Sequence, residues 1–244
     1  EVLEQNDFEE TYSDVLWQKL KTGTGVYGIF WDPSRLNGLG DIAIKKIDIL
    51  NLFWEPGITD LQKSRNIFNT ELVDNDILES VYPELKGRLA SNGLTLARYI
   101  YDDNVDTSGK SVVVDWYYRK YQNGKNVLHY CKYVNTTVLY STENDMEEPV
   151  TGTDEKGRSI FGQSRAERGW YDHGKYPFVF DRLFPAEGTP CGFGYIDVCK
   201  NAQEQIDRLN QAVVKNSLMA ASPRFFMRGD GSVNEKEFTD WTRP

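Results

Sequence analysis

The 244-residue sequence holds only three cysteines (Cys131, Cys191, Cys199) and two histidines (His129, His173), and no two cysteines form a Cys-x-x-Cys pair. An odd count without such pairs argues against a disulfide framework or a closed zinc site and fits a reducing compartment. His129 and Cys131 share one face of an expected strand, but two ligands do not close a metal site, so ordinary strand packing is the expected role. No metal and no other cofactor is expected. No stretch approaches ~20 uninterrupted apolar residues, so no membrane-spanning helix is expected. Residues 1–14 carry six acids and no base, a pattern unlike a secretory signal or a basic transit peptide. The chain lacks an initial Met and its helical spacing is already running at Phe8, so a fragment of a longer protein is expected.

Catalytic signatures are missing as well. There is no Gly-x-Ser-x-Gly elbow and no Walker loop. Asp102 and Asp103 are adjacent, so on a strand they would face opposite ways, poor geometry for an acid/base pair. Gly23-Thr24-Gly25-Val26-Tyr27-Gly28 matches G-x-G-x-x-G by letter. A dinucleotide site needs that loop between a strand and a helix, whereas here a helix precedes and a strand follows, so the glycines read as a helix stop. Asp230-Gly231-Ser232-Val233-Asn234 resembles the front of a calcium loop but lacks Gly at the sixth position and Glu at the twelfth. Ser232 with Glu235 fits a capping box better. The residues point away from an enzyme, and no catalytic group is assigned.

What remains is a foldable, acidic chain: 39% hydrophobic, 13% aromatic, 27% charged, with a net charge of −9. Its length suits one or two domains. The spacing predicts an amphipathic helix over 8–21 stopped by Gly23, then a strand over 26–31 paired with a second that carries Ile42, Ile44 and Ile47. Short strands are expected over 51–56 and 64–72, and a helix capped by Asp74 over 74–82. Residues 112–140 are β-branched and aromatic, with Asn123-Gly124 as a hairpin turn. Residues 143–169 have little periodicity and are expected to form a long loop or a poorly ordered excursion.

The clearest element runs from about Ile196 to Ala221. Cys199, Ala202, Ile206, Leu209, Val213, Asn216 and Ala220 recur at alternating steps of three and four, and Ser222-Pro223 ends the pattern. The first half is polar around the rest of its circumference, while Val214, Leu218, Met219 and Ala221 widen the apolar face of the second. Two readings fit: a seam for a neighbouring helix, or a long core helix of a monomer. Between Lys110 and Thr142 five bases meet one acid, Asp115, interleaved with seven aromatics. Such strands could stack single-stranded nucleic acid, with Arg119, Lys120, Tyr121, Lys132 and Tyr133 as candidates, or form an ordinary sheet or a protein contact surface.

Taken in order, several landmarks resemble a bacteriophage portal protein, the head–tail connector subunit. They are Thr22-Gly23-Thr24-Gly25-Val26 leading to Trp31-Asp32, and Gly40-Asp41-Ile42 leading to Asn51-Leu52-Phe53-Trp54-Glu55-Pro56. Ser64-Arg65-Asn66-Ile67-Phe68, Tyr82-Pro83, Tyr176-Pro177-Phe178 and Gly192-Phe193-Gly194-Tyr195-Ile196-Asp197 follow, then Gln203, Ile206-Asp207, Leu209-Asn210, Pro223 and Phe225-Phe226. The resemblance implies an α+β fold with a portal-like core, a β-rich clip-type insert and a long stem-type helix. It divides the chain into a partial wing-like region (1–59), a stem-like helical segment (60–100), a clip-like insert (101–192), the stem-like helix (193–222) and a return to the wing (223–244). It implies a homo-oligomeric ring, usually of twelve subunits, through which double-stranded DNA enters and leaves the capsid. Implied partners are the terminase large subunit, which hydrolyses the ATP, and capsid, scaffold and head-completion proteins. The implied location is the capsid vertex of the virion, with the host cytoplasm during assembly and no membrane. Ala202, Ile206, Leu209 and Val213 are then expected to pack subunits, and Lys200, Arg208 and Lys215 to face passing DNA.

Overall fold

The computed structural model describes residues 2–89, 109–122, 124–148, 162–221, 231, 234 and 236, and the backbone alone at 150–153 and 159–161. Asp102 and Asp103, Ser222 and Pro223, and the Ser232 and Glu235 pair lie outside the described residues. The chain divides into two units, Glu1–Ile196 and Asp197–Pro244. The fold is mixed α+β with a long helix near the C-terminus.

The first unit opens with helix α1 (Val2–Gln5) and helix α2 (Phe8–Thr22). Acids in the first turn of α2 and lysines in its last complement the helix dipole. Gly23 ends it with φ 85, and its N–H donates to the Lys19 carbonyl at 2.8 Å. Strand β1 (Thr24–Asp32) then runs back under the helix. A Cβ on Gly25 would stand 2.4 Å from the Val15 Cγ1, so the missing side chain is what lets α2 lie on the strand. The G-x-G-x-x-G letters are thus a helix stop and a packing contact. After the single helical turn α3 (Arg35–Gly38), β2 (Asp41–Lys46) pairs antiparallel with β1.

Strands β3 (Leu52–Trp54), β4 (Asn66–Asp74), β5 (Lys110–Gln122), β6 (Lys125–Val134) and β7 (Thr137–Ser141) form a five-stranded antiparallel sheet in that order. β5 and β6 pair antiparallel on either side of the expected turn, with Gln122 opposite Lys125. β4 pairs with β5 over nine positions, so residues 110–141 continue a sheet begun by residues 52–74. Helix α4 (Asn75–Val81) follows β4.

Residues 143–169 differ from the long loop expected. They contain an antiparallel ribbon, β8 (Val150–Thr153) with β9 (Ser159–Phe161), and the one-turn helix α5 (Arg165–Arg168). Strands of four and three residues are too short to display a period of two, which is why the sequence conceals them. β10 (Phe178–Arg182) then adds to the far side of β1, giving a three-stranded sheet β10-β1-β2. A last ribbon, β11 (Phe184–Pro185) with β12 (Gly192–Phe193), precedes helix α6 (Tyr195–Ala221).

The two sheets enclose the main core. Val26 and Phe178 from the small sheet meet Leu52, Ile67, Tyr117, Leu128 and Tyr130 from the large one. Each fully buried side chain of this size is worth about 1.5–3 kcal/mol. Aromatic edges order the contact: Phe178 stands perpendicular to Tyr117 at 5.4 Å between ring centres. A second cluster, Leu78, Leu85, Val113 and Val134, lies at the α4 end of the large sheet. Asn69 and Asp115 pair across the strands on the face that also carries Tyr117 and Val113, so a polar row separates the two clusters.

Candidate assembly helix and basic hairpin

Helix α6 begins where the chain is tightly held. The Gly192 N–H donates to Thr24 Oγ1 at 2.8 Å, and Phe184 stacks on Phe193 at 5.2 Å and meets Tyr195 edge-on at 5.8 Å. From there 27 residues extend as one helix, about 40 Å at 1.5 Å per residue, ending where the three-and-four spacing ends.

None of these 27 residues is buried. Leu209 is 66% exposed, Val213 63% and Ile206 51%, and Ala202 is exposed beside them. At about 100° per residue, Ala202, Ile206, Leu209 and Val213 fall within one narrow stripe. Lys200, Arg208 and Lys215, all exposed, lie on the opposite side. That side also carries Asp197, Glu204 and Asp207, with Asp207 accepting a hydrogen bond from Gln203 at 3.0 Å. The expected packing residues and the expected DNA-facing bases therefore occupy opposite faces. Val214, Leu218 and Met219, each more than half exposed, widen the apolar face in the last two turns, which also hold Lys215, Asn216 and Ser217. A wide apolar face on a helix suits packing against another helix.

The basic hairpin is arranged differently. Arg119 donates to the carbonyls of Gln62 and of Gly174, the latter at 2.9 Å, and lies 4.6 Å over the ring of Tyr176. The Tyr176 hydroxyl in turn donates to the Ser64 carbonyl at 2.8 Å, and burial pushes its pKa up to about 12. Lys120 pairs with Glu143 at 3.2 Å, and Lys132 lies 3.7 Å from Asp115. Tyr117 and Tyr130 are core residues, and Tyr133 is half-buried against Val112 and Val114. Of the five hairpin candidates only Tyr121, 73% exposed, stands clear of the protein. The aromatics stack on each other, Trp116 on Tyr118 at 4.3 Å and Tyr118 on His129 at 5.4 Å, in place of a ligand.

No family model matches the chain, and no curated protein matches it. The functional reading therefore rests on geometry and on the order of sequence landmarks.

Residues 129–131 hold no ligand cluster: His129 is fully buried, with Nδ1 3.1 Å from Thr142 Oγ1, and Cys131 is buried beside it. Sequence reasoning missed the Asp115 environment, where the carboxylate accepts a 2.7 Å hydrogen bond from the Tyr130 hydroxyl inside the sheet. The Asn123-Gly124 turn held the signal, because counting back from Gln122 opposite Lys125 brings Asp115 to Lys132 and Tyr117 to Tyr130.

Proposed function

We propose that this chain is part of a structural subunit that assembles into a ring around a channel for double-stranded DNA, in the manner of a phage portal protein, with no catalysis of its own. One observation carries the reading: a 27-residue helix carries a heptad-like apolar stripe, and none of its residues is buried. Burying Ile206, Leu209 and Val213 against a neighbouring copy is worth about 1.5–3 kcal/mol for each side chain. A ring needs head-to-tail contacts that close, and a rod held at one end suits such packing. The opposite face mixes acids with bases, so Lys200, Arg208 and Lys215 would meet a passing duplex beside negative neighbours rather than as a basic strip. In this reading the partners are further copies of the subunit, a terminase large subunit and capsid, scaffold and head-completion proteins, at the vertex of a virion.

Negative-stain imaging and mass measurement of the intact parent protein test the proposal. Rings with a central hole are expected, and the Leu209→Asp, Val213→Asp double variant should fall to monomers with its sheet signal by circular dichroism intact. A parent protein that is monomeric at micromolar concentration sinks the reading.

A further inference from the structure

A cleft of about 610 Å³ opens within the first unit between the inner faces of the two sheets. Its walls are aromatic: Phe30, Tyr117, Tyr130, Trp170 and Tyr171. Its floor includes Asp115, whose side chain is only 15% exposed. Among the described residues the Tyr130 hydroxyl makes the one hydrogen bond that this carboxylate accepts, while the Lys132 ammonium stays at 3.7 Å, beyond hydrogen-bonding distance. The cleft also contains Asn51, 9% exposed, whose side-chain oxygen is buried without a partner among the described residues. A buried acceptor left unpaired costs about 1–3 kcal/mol, so it marks a place where a donor is missing.

The charges lining the cleft point the same way. Asp32, Asp48, Glu71 and Asp115 outnumber Lys45 and Lys46; Lys46 is paired with Asp14 at 3.2 Å, while Asp32 lies 3.7 Å from Arg35 and Asp115 3.7 Å from Lys132. Against the four carboxylates and the Asn51 oxygen the lining sets Lys45 and the Trp170 indole N–H, itself buried without a partner among the described residues, so acceptors and aromatic side chains remain in excess. They suit a donor-rich cation on an apolar stem, which gains from ring faces as well as from the carboxylate.

We propose that this cleft binds a primary ammonium or guanidinium group on an alkyl stem, with Asp115 and the Asn51 side-chain oxygen accepting its N–H donors and the aromatic side chains of Phe30, Tyr130 and Tyr171 flanking the stem. The site is independent of ring assembly, because every residue involved lies in the first unit. The cation could belong to a free amine or to a lysine or arginine side chain of another protein.

Aromatic-ring NMR shifts of the full 244-residue chain test it, with n-butylammonium and n-butylguanidinium as probes and butyrate and butanol as controls. Saturable shifts of the Trp170, Tyr117, Tyr130 and Tyr171 rings are expected with both cations, at a dissociation constant near about 1 mM, and with neither control. An acetyl-Gly-Lys-Gly-amide arm separates the sources: binding at least as tight as n-butylammonium assigns a protein side chain, and tenfold weaker binding assigns a free amine. Asp115→Asn should weaken the cations by at least tenfold. The proposal is overturned if neither cation shifts these rings by about 20 mM, if the controls shift them equally, or if a folded Asp115→Asn chain binds unchanged. Should Asp115→Asn fail to melt cooperatively, the wild-type ring shifts decide alone.

Discussion

His129 sits fully buried on β6, its ring stacked on Tyr118 and its Nδ1 beside Thr142 Oγ1, while Nε2 has no partner among the described residues. Burial holds its pKa below the ordinary value; nearby Glu143 opposes that shift and Lys120 reinforces it. The unfolded chain therefore takes up a proton at a higher pH than the folded one, and stability rises with pH across that window. The contribution is complete above about pH 6.5, the unfolded value, and is lost as pH falls from there through the folded value. The urea midpoint should drop between pH 7 and pH 5, and His129→Gln, which cannot titrate but can still bond Thr142, should flatten that drop. An equal drop in the variant would place the pH dependence elsewhere.

At the scale of elements, β2 is an edge strand, and edges invite unwanted pairing. Here the edge is closed by one side chain. Asn6 donates from Nδ2 to the Ile42 carbonyl at 2.9 Å and accepts the Ile44 N–H on Oδ1 at 3.1 Å, imitating one residue of a further strand. Arg35 fixes the carboxamide by donating to the same oxygen at 2.6 Å. Asn6→Ala should cost about 1–3 kcal/mol, because the Ile44 N–H loses its partner while the Ile42 carbonyl keeps only Arg35 at 3.1 Å, and should raise amide exchange at Ile44 selectively. Unchanged exchange at Ile44 would count against the edge role. Elements of this kind divide sharply in how far the sequence reveals them. α2, β1, the 110–134 hairpin and α6 each carry several turns or strand periods and a stop residue, Gly23 or Asn123-Gly124 among them. The β8–β9 ribbon and β10 are too short for a period, and the closing of the β2 edge by Asn6 depends on a contact across 36 residues. The aromatic cleft is further still from the sequence, since it exists only where one sheet lies over the other.

For the whole molecule, the question is how an acidic chain with net charge −9 could handle DNA. A protein that grips a duplex neutralises phosphates, and each contact steepens the salt dependence of binding by about 0.9 in log–log slope. Three gripping bases would contribute about 2.7. On α6 the only bases, Lys200, Arg208 and Lys215, share their face with Asp197, Glu204 and Asp207, so the face has no net positive charge. In the ring proposed above, a wall of such helices would guide a duplex without holding it, as a sliding passage requires. Replacing Lys200, Arg208 and Lys215 together by Ala in the intact assembly should therefore change the salt slope of duplex binding by well under 1, measured by fluorescence anisotropy from about 50 to 200 mM salt. A fall approaching about 3 would mean that these side chains clamp phosphates, and a clamped duplex cannot run through a channel.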